Sequence, residues 1–240
     1  MTDPAARFRL GYVPGVTPGK WARMWAERRP GVELELVQLG VGEAEAAVRA
    51  ESVDAAVLRL PVDRDGLHAI PLYTETTVVV APKDHVVTAA DELCVADLAD
   101  EVVQRAPEDT LDWADRRPGR AAEHEPATTA EAVELVAAGV GLLVVPQSLA
   151  RLHHRRDLTH RPLTDAPGST VALVWPDAEN SELMEEFIGI VRGRTAHSSR
   201  TPRAAGAAPQ PSRDGTGTGS RRGRPARGGG RPERRSRPRR

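Results

Sequence analysis

The stretch "RRPGVELELVQLGVGEAEAAVRAESVDAAVLRLP", residues 28–61, holds the pattern on which the fold turns. Within it "VELELVQL" alternates with a period of two, with Val32, Leu34 and Leu36 on one phase, and this predicts a strand. "GEAEAAVRAES" follows as a short helix, and "VDAAVLRL" as a second strand. Two strands flanking one helix predict a parallel pair joined by a right-handed crossover. Upstream, "RFRLGYVP" reads as a further strand and "TPGKWARMWAERRP" as a helix, with Thr17 at its N-cap and Pro18 in its first turn. The first sixty residues therefore run β-α-β-α-β.

Further along, "LHAIPL" and "TTVVVAP" are two strands with little between them. "AADELCVADLA" is helical in part, "EVVQ" is a short strand and "DTLDWADRR" a short helix. In "TTAEAVELVAAGVGLLVVPQSLARL" a helix starts at Thr128 or Thr129, carries an apolar stripe through Val133 and Val136, and stops at Gly139. A buried strand over Leu142 to Val145 then leads into Pro146 and another short helix. "STVALVWP" closes the pattern as a strand, and "SELMEEFIGIVRG" as a helix capped by Ser181. The class is α/β, in two small lobes.

Composition divides the chain unevenly. From Gly193 to Arg240 there is no Val, Ile, Leu, Met, Phe, Trp or Tyr, so this stretch cannot bury enough surface to offset its ordering and is expected to be a disordered tail. From Arg192 onward fifteen arginines face only Asp214 and Glu233, while the rest of the chain carries 18 basic against 32 acidic residues. An acidic body thus bears a basic tail. Such a tail can attract nucleic acid by neutralising phosphates, can lie against its own acidic body, or can have no role. "MTDPAARFRL" has no apolar signal region and no run reaches the about 18 apolar residues of a membrane span, so neither export nor membrane insertion is expected. Cys94 is the only cysteine, which excludes an internal disulfide and fits a reducing cytoplasm.

Motifs of enzymes are missing. "GYVPGVTPGKW", residues 11–21, has the look of a phosphate loop, yet only three residues separate Gly15 from Gly19 and Trp21 stands where a hydroxyl would reach a metal. There is no nucleophile elbow and no complete dinucleotide fingerprint; "GVGEAE" and "GVGLLV" each supply two glycines. His153, His154 and His160 sit beside Arg155 and Arg156, which would repel a cation, so no metal site is expected there. His124 lacks a downstream cysteine pair, and His85 is isolated. No catalytic residue and no cofactor are assigned.

One position recurs. Strand ends meet helix starts at Gly15–Thr17, Gly40–Val41 and Thr128–Thr129, and in open α/β sheets ligands bind beyond the carboxyl ends of strands, where helix N-termini offer free N–H groups. Arg59, at the end of "DAAVLRLP", lies on the same rim. It either grips a ligand carboxylate with two bonds or forms a surface ion pair. Thr17 and Thr129 are caps in either case.

The order of six pieces, "RLGYVPG", the quoted 28–61 stretch, "IPLYTETTVVVAPKDHVV", "DLADEVV", "AVELVAAGVGLLVVPQSLAR" and "VALVWP", resembles the effector-binding domain of LysR-type transcriptional regulators over Phe8 to about Arg192. The resemblance implies a type 2 periplasmic-binding-protein fold: two Rossmann-like subdomains joined by crossover strands, residues 7–81 with 164–192 and residues 82–163, followed by the tail at 193–240. It implies no enzyme but a sensor of a small, carboxylate-bearing effector, held in a cleft lined by Gly15, Val16, Thr17, Gly40, Val41, Arg59, Thr128 and Thr129. It also implies pairing into a homodimer, or work with a partner that bears a helix-turn-helix. Val41 stands where the family often has Ser or Thr, which removes one hydroxyl from the ligand. The usual N-terminal winged helix-turn-helix is absent from this sequence, so ordinary major-groove reading is not expected. Arg222 to Pro225 spells the Arg-Gly-Arg-Pro core of an AT-hook, and Arg221, Arg222, Arg224 and Arg227 are the candidates for contact with nucleic acid.

Overall fold

In a computed structural model, the structure describes residues 7–106, 108–114 and 117–194. The tail arginines 221, 222, 224 and 227, and the tail call itself beyond residue 194, lie outside the described residues.

The β-α-β-α-β opening forms as the alternation predicts. Strand β1 (Arg7–Tyr12) leads to helix α1 (Gly19–Arg28), β2 (Glu33–Gln38), α2 (Val41–Arg49) and β3 (Ala55–Arg59). β1 lies parallel to β2 from Arg7 opposite Glu33 to Tyr12 opposite Gln38, and parallel to β3 with Leu10 opposite Ala55. β4 (Leu67–Glu75) follows, and the last strand of the chain, β10 (Ser169–Pro176), inserts antiparallel between β3 and β4. The order of this first sheet is β2-β1-β3-β10-β4. All five residues of β3 are buried, as a central strand covered on both faces requires. β2 is an edge, and there the expected phase holds only in part: Val32 and Leu34 pack on the core together with Val37, while Leu36 is exposed.

A second sheet is built from β5 (Thr77–Pro82), β6 (Val102–Gln104), β7 (Arg120–Ala121), β8 (Leu142–Pro146) and β9 (Leu158–Pro162), in the order β7-β6-β8-β5-β9. α3 (Thr129–Ala137) and α4 (Gln147–Leu152) bracket β8, and α5 (Glu182–Val191) follows β10. The two sheets define two lobes. β5 pairs with β8 and β9, so Thr77–Pro82 belongs to the second sheet. Only Thr76 separates the two strands at this crossing.

Other local readings are corrected by side-chain chemistry. α1 begins at Gly19 with Pro18 in the cap position, and no side chain caps it, so Thr17 is not the N-cap. "DTLDWADRR" is not helical over its described residues. Asp109 accepts from the Leu111 N–H at 2.9 Å and from the Trp113 indole at 3.2 Å, and such local bonds compete with a helix. Leu111 and Trp113, two apart, are both buried, a spacing that suits extended chain. "LTHRP", in the stretch between the short helix after Pro146 and "STVALVWP" that was assigned no element, forms β9. Ser181 does cap α5, accepting from Met184 N at 3.1 Å.

The first lobe's core centres on Phe8, Trp25 and Phe187, from β1, α1 and α5, with ring centroids 5.1, 5.3 and 5.9 Å apart. The Trp25 indole donates to Val32 O at 2.9 Å, so its one polar atom is satisfied. The second lobe buries Val78, Val133, Val136 and Leu143 on one face of its sheet and Val79, Leu98, Leu142 and Trp113 on the other. Gly141, at φ +76°, lets β8 approach β6 so closely that an added Cβ would stand 2.4 Å from Val102 O. Phe187→Ala is expected to cost about 3–5 kcal/mol of stability through lost burial and a cavity between three rings; urea denaturation of the full chain with an unchanged m-value would show it, and a loss below about 1 kcal/mol would contradict this packing.

Candidate functional site

Where β1 and β3 end, the backbone turns toward the second lobe. Val13 N still bonds to Val57 O at 3.2 Å, and then Pro14 and Gly15 leave the sheet. Arg59, the last residue of β3, is buried at 3% exposure and spans this exit. Its Nη1 donates to Pro14 O at 2.8 Å; its Nη2 donates to Glu75 Oε2 at 3.2 Å and to Ser148 Oγ at 2.9 Å. Ser148 in turn donates to Glu75 Oε2 at 2.9 Å. Arg59 and Glu75 stand in the first lobe and Ser148 on α4 of the second, so one closed triangle of charge-assisted bonds joins the lobes.

Gly15 is part of this joint. It sits at φ +84°, and an added Cβ would lie 2.6 Å from Ser148 Oγ and 2.8 Å from Arg59 Nη2. No other residue tolerates both that backbone and that proximity. Tyr73, close by, has its phenol pKa pushed up, by burial first and by the Glu75 charge second, with Arg59 acting the other way.

The expectation of an arginine free to receive a ligand carboxylate is therefore not met. Nor is it the surface ion pair that was the alternative: Arg59 pairs with the protein's own Glu75, and the pair is buried, with side-chain exposures of 0% and 10%. The other expected anchors are also engaged. Thr129 is buried, and both its N–H, at 2.8 Å, and its hydroxyl donate to Glu108 Oε2. Thr128 is the N-cap of α3, accepting from Glu131 N at 3.1 Å. Gly40 N reaches Glu43 Oε2 at 3.4 Å, at the start of α2. Val16 is a core residue, so only its backbone faces the rim, whereas Thr17 is exposed and Val41 partly buried.

A cavity of about 340 Å³ opens between the lobes, against different residues. Leu60, Val62 and Arg64 bound it after β3, Thr170 from β10, and Thr110 and Asp112 from the loop after β6. Thr110 Oγ1 is buried with no hydrogen-bond partner among the described residues. The sequence reading passed over this side because "DTLD" was taken for helix. Glu75 and Ser148 were missed too, although both lie in stretches that carried the family resemblance. A glutamate directly before "TTVVVAP" and a serine two residues after "VVP" were the available signals. Among the described residues no group of three His, Cys, Asp or Glu could hold a metal, and no helix is long and apolar enough to cross a membrane.

The family model described as the LysR substrate binding domain matches residues 2–196. The chain belongs to this family. Its relatives include a "probable hydrogen peroxide-inducible genes activator" of Mycobacterium avium, 29% identical over 79% of this chain and 66% of that protein. Another is the Hca operon transcriptional activator of Escherichia coli, 24% identical over 79% of this chain and 68% of the relative. These relatives are named as activators, not enzymes. Against the mycobacterial activators of avium, leprae and xenopi the chain spans from about half to about two thirds of their length. Among solved structures, the BenM effector binding domain with benzoate superposes with a TM-score of 0.67, at 20% identity over 78% of this chain and 91% of that one. OxyR of Corynebacterium glutamicum gives 0.65, at 22% identity over 80% and 65%. The two-sheet architecture of this LysR-type domain is thus that of the effector-binding domains.

Removing one member of the buried pair strands the other. Arg59→Ala is expected to cost about 3–5 kcal/mol, and the double variant Arg59→Met with Glu75→Leu to cost less than Arg59→Ala alone. Denaturant titration of the set checks this, and additive losses would mean that the two charges do not depend on each other.

Proposed function

We propose that this LysR-type domain is the ligand-sensing part of a transcriptional regulator, acting in the cytoplasm. A small-molecule effector settles between the lobes and changes how they are held together. The observation that carries this is the Arg59–Glu75–Ser148 triangle: polar bonds join the lobes there, and an open cavity lined by Leu60, the residue after Arg59, and by Thr110 lies between them. A ligand there can favour one arrangement of the lobes over another by its differential contacts. The backbone of Gly15, Val16, Thr17, Gly40 and Val41 forms the opposite rim in this reading, with Thr128 and Thr129 facing it from the second lobe. A homodimer, or a partner that carries a DNA-reading domain, would transmit the change.

Two words in the relatives' names bear on the effector. The mycobacterial names print hydrogen peroxide, and Cys94 is the only cysteine in these 240 residues, which therefore hold no disulfide pair of their own. Benzoate, the effector named for the BenM domain, is a carboxylate, whereas a carboxylate reaching Arg59 in this chain must first replace Glu75.

Thermal melting of the full chain against a panel of neutral, cationic and carboxylated metabolites tests the reading. A true effector raises the melting temperature saturably and loses at least about tenfold in affinity in Thr110→Trp, which fills the cavity. A panel without any saturable stabiliser, or a ligand indifferent to Thr110→Trp, would remove the sensing role from this cleft.

The tail is proposed as a second, sequence-indifferent contact with nucleic acid, on the strength of its fourteen arginines. Fluorescence anisotropy with duplex DNA is expected to show binding by the full chain that falls steeply with salt, and none by a version ending at Arg194. Equal binding by both would dismiss the tail.

A further inference from the structure

Three carboxylates of this chain sit on the groups that would otherwise receive an anion at the cleft rim. Glu43 lies on the Gly40 N–H, Glu108 on the N-terminus of α3 at Thr129, and Glu75 on Arg59. The first two are exposed or half-buried and resemble ordinary caps. Glu75 differs: its side chain is 10% exposed, its partner's is 0% exposed, and its bonds cross between the lobes.

We propose that Glu75 is a built-in carboxylate occupying the anion place on Arg59 at the junction of the lobes, so a carboxylate effector cannot use this arginine while Glu75 is seated there. Its bearing on the choice of effector rests on the reading of the space between the lobes as an effector site. The argument is one of charge count. Arg59 supplies one positive charge, and Glu75 already balances it inside the protein. A second carboxylate brought to the same guanidinium would leave one buried negative charge unpaired, the costly state for a desolvated ion. It must therefore displace Glu75, which is covalently held beside Arg59 and competes at the high effective concentration of an intramolecular partner. Arg59 Nε is buried without a partner, and Glu75 engages the guanidinium through Oε2 alone. A free carboxylate could bond in two-pronged fashion once the place is vacant, so removing Glu75 should turn the arginine into an anion site.

The experiment is chemical rescue with formate and acetate as probes. Full-length wild type, Glu75→Ala and Glu75→Gln are melted in about 100 mM sodium formate, sodium acetate or matched sodium chloride. Wild type and Glu75→Gln, whose amide still fills the place, are expected to melt alike in all three salts. Glu75→Ala is expected to melt lower in chloride and to recover by about 3–5 °C in formate, as a site of roughly 10 mM affinity would give. The recovery should vanish in Glu75→Ala combined with Arg59→Gln. Should Glu75→Ala not fold in chloride, its refolding yield in formate against chloride is the readout. Wild type stabilised by formate as strongly as Glu75→Ala, or Glu75→Ala indifferent to formate, would overturn the proposal. Neither result touches the cavity-filling test with Thr110→Trp, which stands apart from Arg59, so failure of this proposal and failure of the effector reading are distinguishable.

Discussion

A guanidinium buried at the end of a central strand must have its charge balanced, and much of this protein's arrangement follows from that demand. β3 is enclosed on both faces and carries no polar group except its last residue, Arg59. An unbalanced charge there would cost several kcal/mol. Compensation comes from three directions: a carbonyl in the turn after β1, a carboxylate at the end of β4 and a hydroxyl on α4. Each partner belongs to a different element, so satisfying one side chain fixes the exit of the first strand, the crossing between the sheets and the seat of the second lobe. Gly15 is glycine because that junction leaves no room for a Cβ.

The same economy explains why the two lobes share so small a polar contact beside a cavity. Each lobe has its own apolar core, the first around Phe8, Trp25 and Phe187 and the second on both faces of its sheet, so neither relies on the other for burial. What joins them is directional and electrostatic. Bonds of that kind can be made and broken by a ligand of modest affinity, whereas a shared hydrophobic core could not be opened so cheaply.

Much of the architecture was legible because periodicity reports which face is buried. The alternation in β2, the apolar run of β3, the stripe on α3 and the cap at Ser181 all led directly to elements that are present. The failures have local causes. "DTLDWADRR" has helix-like composition, but Asp109 spends its oxygens on nearby donors and holds the chain extended. "LTHRP" is a strand only because β5 is there to pair with it, information that lies some eighty residues upstream. At the site, Arg59 was visible from its place on the strand, but its partner was not. Glu75 and Ser148 lie 16 and 89 residues away in sequence, and only the folded chain brings them to one oxygen-lined point.

The position of β10 has a consequence for how the chain is made. This strand, residues 169–176, lies in the middle of the first sheet, between β3 and β4, although every other strand of that sheet is complete by residue 75. On the ribosome, the opening β-α-β-α-β segment emerges first and yet cannot close its sheet until about a hundred further residues have been synthesised. The second lobe, by contrast, is one uninterrupted segment from β5 to β9. The second lobe can thus be finished before the first, whose strands lie on both sides of it in sequence. Until β10 arrives, β3 and β4 are open edges, which neighbouring chains could pair with.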